Sequence, residues 1–207
     1  MKLLEGLHQD RVRPQRAQRL AQILSEFIPL GSTVLDVGSG DGLIASLLLR
    51  QRPELTVQGV DVLVRPGARI RVTQFDGNTL PYEQGAFDVV LFVDVLHHTR
   101  DPLVLLKEAI RVAKKFVVLK DHVLQGLWAS ARLRFMDRVG NARYGVALPF
   151  NYWSAGQWHD AEQVLGLTKV MERRELKLYD WPLDVVFGSG LHFMARYDVP
   201  SRVGRSK

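Results

Sequence analysis

Residues 34–42 read Val-Leu-Asp-Val-Gly-Ser-Gly-Asp-Gly: an apolar run carrying one acid, Asp36, then glycine at every second position, Gly38, Gly40 and Gly42. Val34, Leu35 and Val37 suit a buried strand, and residues 43–49 suit the helix that follows. Between them the chain must reverse without side chains in the way, so that backbone N–H groups and a helix N-terminus can approach a ligand closely. This is the sequence of a nucleotide-binding turn. Its spacing excludes two common versions. The dinucleotide fingerprint needs its third glycine at 43, where Leu43 stands, and no Gly-Lys-Ser or Gly-Lys-Thr follows to make a P-loop.

The rest of the chain continues the alternation. Apolar residues at Ala17, Leu20, Ala21, Leu24, Phe27 and Ile28 mark a helix over 16–28, with Pro14 near its start. Strands are predicted over 56–61, 70–75, 87–93 and 116–119, and a helix over 102–113. Alternating strands and helices argue for a parallel, doubly wound sheet. After residue 120 the rhythm changes. A helix is predicted over 123–136, then a loop over 140–153, a helix opened by a Ser154–Gln157 capping box and running to Leu165, and strands over 168–178 and 191–197.

At 207 residues, with 46% hydrophobic and 24% charged side chains, the chain is read as one domain with a substantial core. Zero cysteines exclude a disulfide scaffold, a thiolate nucleophile and any Cys-ligated metal. Charges punctuate residues 1–20 and no run approaches the ~20 apolar residues of a spanning helix, so a soluble, cytoplasmic protein without a membrane span is expected. The net charge of +6 is scattered apart from the two ends and residues 132–143, so no specific nucleic-acid partner is expected.

In an open parallel sheet the ligand crevice lies beyond the carboxyl ends of the strands. The informative polar residues sit there: Asp61, Asp76, Asp94 with His97 and His98, and Asp121 with His122. Residues 36–42 match E/D-x-G-x-G-x-G at every specified position, and the chain resembles the class I S-adenosylmethionine (SAM) dependent methyltransferases. The run FDVVLFVDVLHHTRDP, residues 87–102, is similar to the fourth-strand motif of their small-molecule branch, often called type 11.

The resemblance covers about residues 34–119 and implies a doubly wound, mostly parallel seven-stranded sheet with a C-terminal antiparallel hairpin. It implies SAM as cofactor, bound by Gly38, Ser39, Gly40, Asp61, Val62, Asp76, Gly77 and Asp94, with Asp36 in the binding region as a support of the glycine loop. In that family the acid at 61 accepts from the ribose hydroxyls and the acid at 76 from the adenine amino group. Within one domain, 1–207, residues 1–30 form an N-terminal helical cap and 120–160 an acceptor-side insertion. The acceptor is expected to be a small molecule, apolar or aromatic. Tyr144, Phe150, Tyr152, Trp153 and Trp158 either roof its pocket or belong to the core.

For a hydroxyl acceptor a histidine is the natural base. His122 and His97 are the candidates, and His122 is preferred because the Asp121 carboxylate beside it makes an imidazole more basic. No metal is expected. Two other functions stay open: a nucleic-acid methyltransferase, although Asp94-Val95-Leu96-His97 replaces the Asn- or Asp-Pro-Pro-aromatic motif of base-methylating branches, and a SAM-binding protein without turnover.

Overall fold

The computed structural model describes residues 12–141, 149–181, 183–188 and 190–201. The elements are α1 (Arg13–Phe27), β1 (Thr33–Val37), α2 (Leu43–Gln51), β2 (Thr56–Asp61), β3 (Val72–Gln74), β4 (Phe87–Val93), α3 (Pro102–Val112), β5 (Ala113–His122), α4 (Ala129–Asn141), α5 (Ala155–Leu165), β6 (Thr168–Arg173) and β7 (His192–Asp198). Helix starts follow local chemistry. Asp101 caps α3 by accepting from Leu103 N–H with Pro102 in the first turn, and Ser154 with Gln157 forms the expected capping box on α5.

The strands form one seven-stranded sheet in the order β3-β2-β1-β4-β5-β7-β6. β1 to β5 run parallel, and β7 enters antiparallel between β5 and β6, which makes the expected C-terminal hairpin. From β1 the chain moves outward to β2 and β3 and then crosses back to β4. The order therefore reverses between β1 and β4, and the crevice opens at their carboxyl ends.

Strand side chains alternate between two cores. Leu35, Val90, Phe92, Val117 and Leu119 pack with α3 and α5, while Val34, Val89, Leu91 and Val118 pack with α1 and α2. Burial on both faces explains why β4 reads as an almost unbroken apolar run. The same rule makes Lys120 conspicuous, since it is wholly buried in β5.

The structure departs from the sequence reading where backbone conformation overrides periodicity. β5 begins at Ala113, directly where α3 ends, rather than at 116, and β3 is shorter than 70–75. The helix predicted over 123–136 begins only at Ala129. Val123 N–H still donates to Leu191 O and Leu124 N–H to Trp153 O, and Gly126 and Trp128 then take φ of +90° and +62°, which no right-handed helix contains. β6 ends at Arg173, not at 178. Part of the loop over 140–153, including Tyr144, lies outside the described residues.

Gly42 combines two constraints. Its φ is +72°, and a Cβ there would lie 2.6 Å from Ile70 Cγ1 and 3.2 Å from the Ile70 nitrogen. Gly31 shares the left-handed φ, +64°, with nothing within 4 Å. Gly42→Ala should lower the unfolding free energy by about 1–3 kcal/mol, and Gly31→Ala by less, since it adds no collision. Chemical denaturation of both variants compares the two, and equal losses would show that Ile70 yields without penalty.

Candidate functional site

The glycine turn is strapped to the end of β2. Gly38 N–H donates to Val60 O at 2.8 Å, Ser39 N–H to the same oxygen at 3.2 Å, and Gly40 N–H to Asp61 Oδ2 at 2.8 Å. Gly38, Gly40 and Gly42 all have positive φ, and a Cβ on Gly38 would lie 2.6 Å from Val95 Cγ2. Ser39 Oγ sits over Gly59, where a Cβ would collide with it, so Ser39 offers the cavity its backbone. Asp61 Oδ1 also accepts from Leu63 N–H at 3.0 Å. A carboxylate has about four acceptor positions, so capacity remains for both hydroxyls of a ribose.

Beyond Asp61, Val62 is half exposed and packs close to Gly77, whose φ of +84° keeps that surface free of a side chain. Asp76 is exposed, and its Oδ1 accepts from Asn78 and Thr79 N–H at 2.8 and 2.7 Å. These bonds hold its carboxyl below the usual range. One oxygen thus shapes the turn and the other is left for a ligand. Polar edge, apolar ledge and glycine turn together fit a nucleoside, and these residues would hold the adenosine part of SAM.

On the other side of the glycine turn lies a cavity of about 400 Å³. Ser39, Gly40 and Asp41 form one wall, and Asp94, His97, His98 and His122 line it with Asp137 of α4. Its aromatic lining comes from Phe135, Tyr179 and Phe187, not from the 150–158 cluster. Trp153 and Trp158 belong to the core, and Tyr152 hydrogen-bonds Asp137. Arg13 and Arg16 of α1 close the cavity by pairing with Asp41 and Asp94.

Asp121 corrects the expected partnership. Its buried carboxylate accepts from His97 Nδ1 at 2.6 Å, from Leu96 N–H at 3.0 Å and from His122 N–H at 2.8 Å, while His122 Nδ1 stands 3.4 Å from it. It therefore orients His97 and fixes the 3₁₀ turn Leu96–His98 against the end of β5. Asp137 Oδ2 is 3.5 Å from His97 Nε2. Burial disfavours an imidazolium, but these flanking carboxylates push His97 up to about 10. His122 moves the other way: burial first, then Lys120 and His97, hold it below its ordinary value. His98 is held down to about 4 by burial and then by the His97 charge, so near neutral pH the cavity carries one charged imidazole and two neutral ones.

Asp94 has φ +57°, an uncommon conformation that a short polar side chain tolerates. Burial works against its charge, yet Lys120 and Arg16 keep its carboxyl well below the usual range. Lys120 Nζ also lies 3.1 Å from His192 Nδ1. Ligand-capable atoms of Asp94, His122 and His192, and of His97, His98 and Asp137, gather within 4.8 Å in each group. Lys120 Nζ sits among the first of these groups, paired with Asp94 and beside His192.

The structure thus brings Ser39, Gly40, Asp94, His97 and His122 to one cavity and places Asp61, Val62, Asp76 and Gly77 on the adjoining ledge, with Asp36 buried beneath the turn. Sequence reasoning missed Arg13, Arg16, Lys120, Asp137 and His192. Two signals were present: arginines at 13, 16 and 19, one helical face, and a lysine inside an apolar strand run.

A family model for a methyltransferase domain matches residues 10–178, and the chain belongs to that family, the class I, SAM-dependent methyltransferases. It is 36% identical over 133 residues to an uncharacterized methyltransferase of Mycobacterium sp. (strain KMS), a match covering 60% of this chain and 52% of that protein. It is 32% identical over 96 residues to a ubiquinone biosynthesis O-methyltransferase of Sodalis glossinidius, covering 41% of this chain and 38% of that one. The chain thus spans about half the length, or less, of the curated relatives it matches. Its fold is that of a SAM-dependent methyltransferase from Aquifex aeolicus, with TM-score 0.63, 18% identity, and 95% and 98% of the two chains covered.

Asp36 yields a pH test. Burial, and then the neighbouring Asp61 charge, raise its carboxyl from 3.8 to about 7. Between about pH 4 and 7 the unfolded chain releases this proton while the folded chain keeps it, so stability falls as pH rises and the loss is complete above 7. Asp36→Asn removes that loss. The variant's advantage over wild type should grow from pH 5 to pH 8 by an amount on the order of a few kcal/mol. Urea titrations across that range measure it, and a constant difference would show that Asp36 ionises normally.

Proposed function

We propose that this protein transfers the methyl group of SAM to a small, apolar or aromatic acceptor bound in the cavity beside the glycine turn, with a hydroxyl oxygen as the methylated atom and His122 as the proton acceptor. The observation that carries this reading is the join between the two halves of the site. The nucleoside-shaped ledge ends at Gly40, and Gly40 is also a wall of the cavity that His97, His98 and His122 line. A pocket of about 400 Å³ has the volume of a small-molecule site. The relative named for O-methylation in ubiquinone biosynthesis supports oxygen as the acceptor atom.

Bound there, SAM supplies a methyl group already activated by its sulfonium. The protein's task is alignment and exclusion of water, and an apolar roof of Phe135, Met136 and Phe187 over a polar floor does both. Near neutral pH His122 is unprotonated and can take the hydroxyl proton. His97, charged and locked to Asp121, acts as a positioning residue that keeps the neighbouring imidazole neutral.

Calorimetry should show binding of SAM and S-adenosylhomocysteine without added metal. Asp61→Ala should weaken that binding roughly tenfold or more. A screen of metabolite fractions with tritiated SAM identifies the acceptor, and failure of every fraction to take up label would favour a SAM-binding protein without turnover. With the acceptor in hand, His122→Ala should lower kcat by about 10²-fold or more with SAM affinity nearly intact. Because His122 lies below its ordinary 6.5, the acid limb of the kcat–pH profile should fall below that value. Wild-type turnover in His122→Ala would remove this residue as the base.

A further inference from the structure

The surface where α4 meets the turn Asp184–Gly188 is aromatic, apolar and basic at once. Leu127 is 84% exposed, Trp128 73% and Trp181 84%, and Val185 also projects into solvent. These residues belong to one surface. Trp128 O accepts from Arg132 N–H at 3.0 Å, and the Arg132 guanidinium donates to Val185 O at 3.1 Å. Val185 lies in the turn Asp184–Gly188, four residues past Trp181. Phe135 of α4 stacks on Phe187 of that turn with centroids 6.0 Å apart, and both line the cavity.

Two independent observations mark this face as built for a partner. Trp128 has φ +62°, an outlier for a bulky side chain, and among the described residues its indole joins none of the buried clusters. Strain without packing in return points to a use in solvent. Charge then says what the partner is. Along α4 the charged residues are Arg132, Arg134, Asp137 and Arg138, and the one acid is buried, turned to Tyr152 and His97. Arg134 and Arg138 flank the Phe150 ring at 5.5 and 5.9 Å, so the outward side of the helix is cationic.

We propose that this face, with Leu127, Trp128, Trp181 and Val185 as its apolar part and Arg134 and Arg138 as its charged part, docks on an anionic lipid surface. Indole rings sit well at headgroup depth, leucine and valine enter the acyl boundary, and arginine pairs with lipid phosphate. The net charge of +6 adds long-range attraction to the same surface. The surface stands independently of which molecule is methylated.

The test is co-sedimentation of the full chain with vesicles of phosphatidylcholine alone and of phosphatidylcholine with phosphatidylglycerol. Binding to the anionic vesicles, weakening with salt, is expected. The double variant Trp128→Gly/Trp181→Ala should lose partitioning by about tenfold or more. Glycine accepts the positive φ at 128, so this variant should melt no lower than wild type and bind S-adenosylhomocysteine equally. Absence of binding to anionic vesicles, or equal binding by the variant, would overturn the proposal. So would equilibrium sedimentation that finds a wild-type dimer and a variant monomer without lipid, because the face would then be an interface between copies of the chain.

Discussion

The ammonium of Lys120 is wholly buried at the centre of this molecule, and the site is arranged around that charge. It sits on β5 and meets Asp94 at the end of β4 and His192 on β7, while Asp94 also holds Arg16 of α1. One ion cluster thus joins three adjacent strands and the helix that covers the cavity. Such a cluster adds little net stability compared with apolar packing. Removing one member, however, strands a buried charge at about 3–5 kcal/mol, so its parts are retained together.

That cluster also sets the protonation of its neighbours. The Lys120 charge helps keep His122 and His192 neutral, whereas Asp121 and Asp137, on the far side, stabilise positive charge on His97. Two histidines whose rings lie 4.6 Å apart are thereby driven to opposite states. Divergent environments for neighbouring titratable groups are the usual way in which a protein assigns them different work.

The parallel half of the sheet and the cofactor ledge were legible because they rest on short-range rules. The glycine turn at 38, 40 and 42 demands positive φ, β4 reads as a doubly buried run, and acids at strand ends can only face the crevice. The second half was less so. Periodicity over 123–136 resembles a helix, but Gly126 and Trp128 take positive φ, which a right-handed helix does not contain. The partnership of Asp121 was misjudged for a related reason. Neighbours along a strand point apart, and the residue that Asp121 meets is 24 positions away, brought to it by the β4–β5 pairing. Asp137 reaches the cavity and His192 reaches Lys120 only through long-range packing, which leaves no local pattern to read.

Helix α1 is held by different forces along its length. Arg13, Arg16 and Arg19, three residues apart, pair with Asp41, Asp94 and Asp180, while Leu20, Leu24 and Phe27 toward its other end are fully buried in the core. Dissolved ions weaken the first kind of attachment and leave the second untouched. That weakening is uneven, because the Arg19–Asp180 pair is the most exposed of the three and the Arg16–Asp94 pair the least. Salt therefore acts first on the pair away from the cavity, and the turn of α1 over the cavity keeps the attachment that dissolved ions screen least.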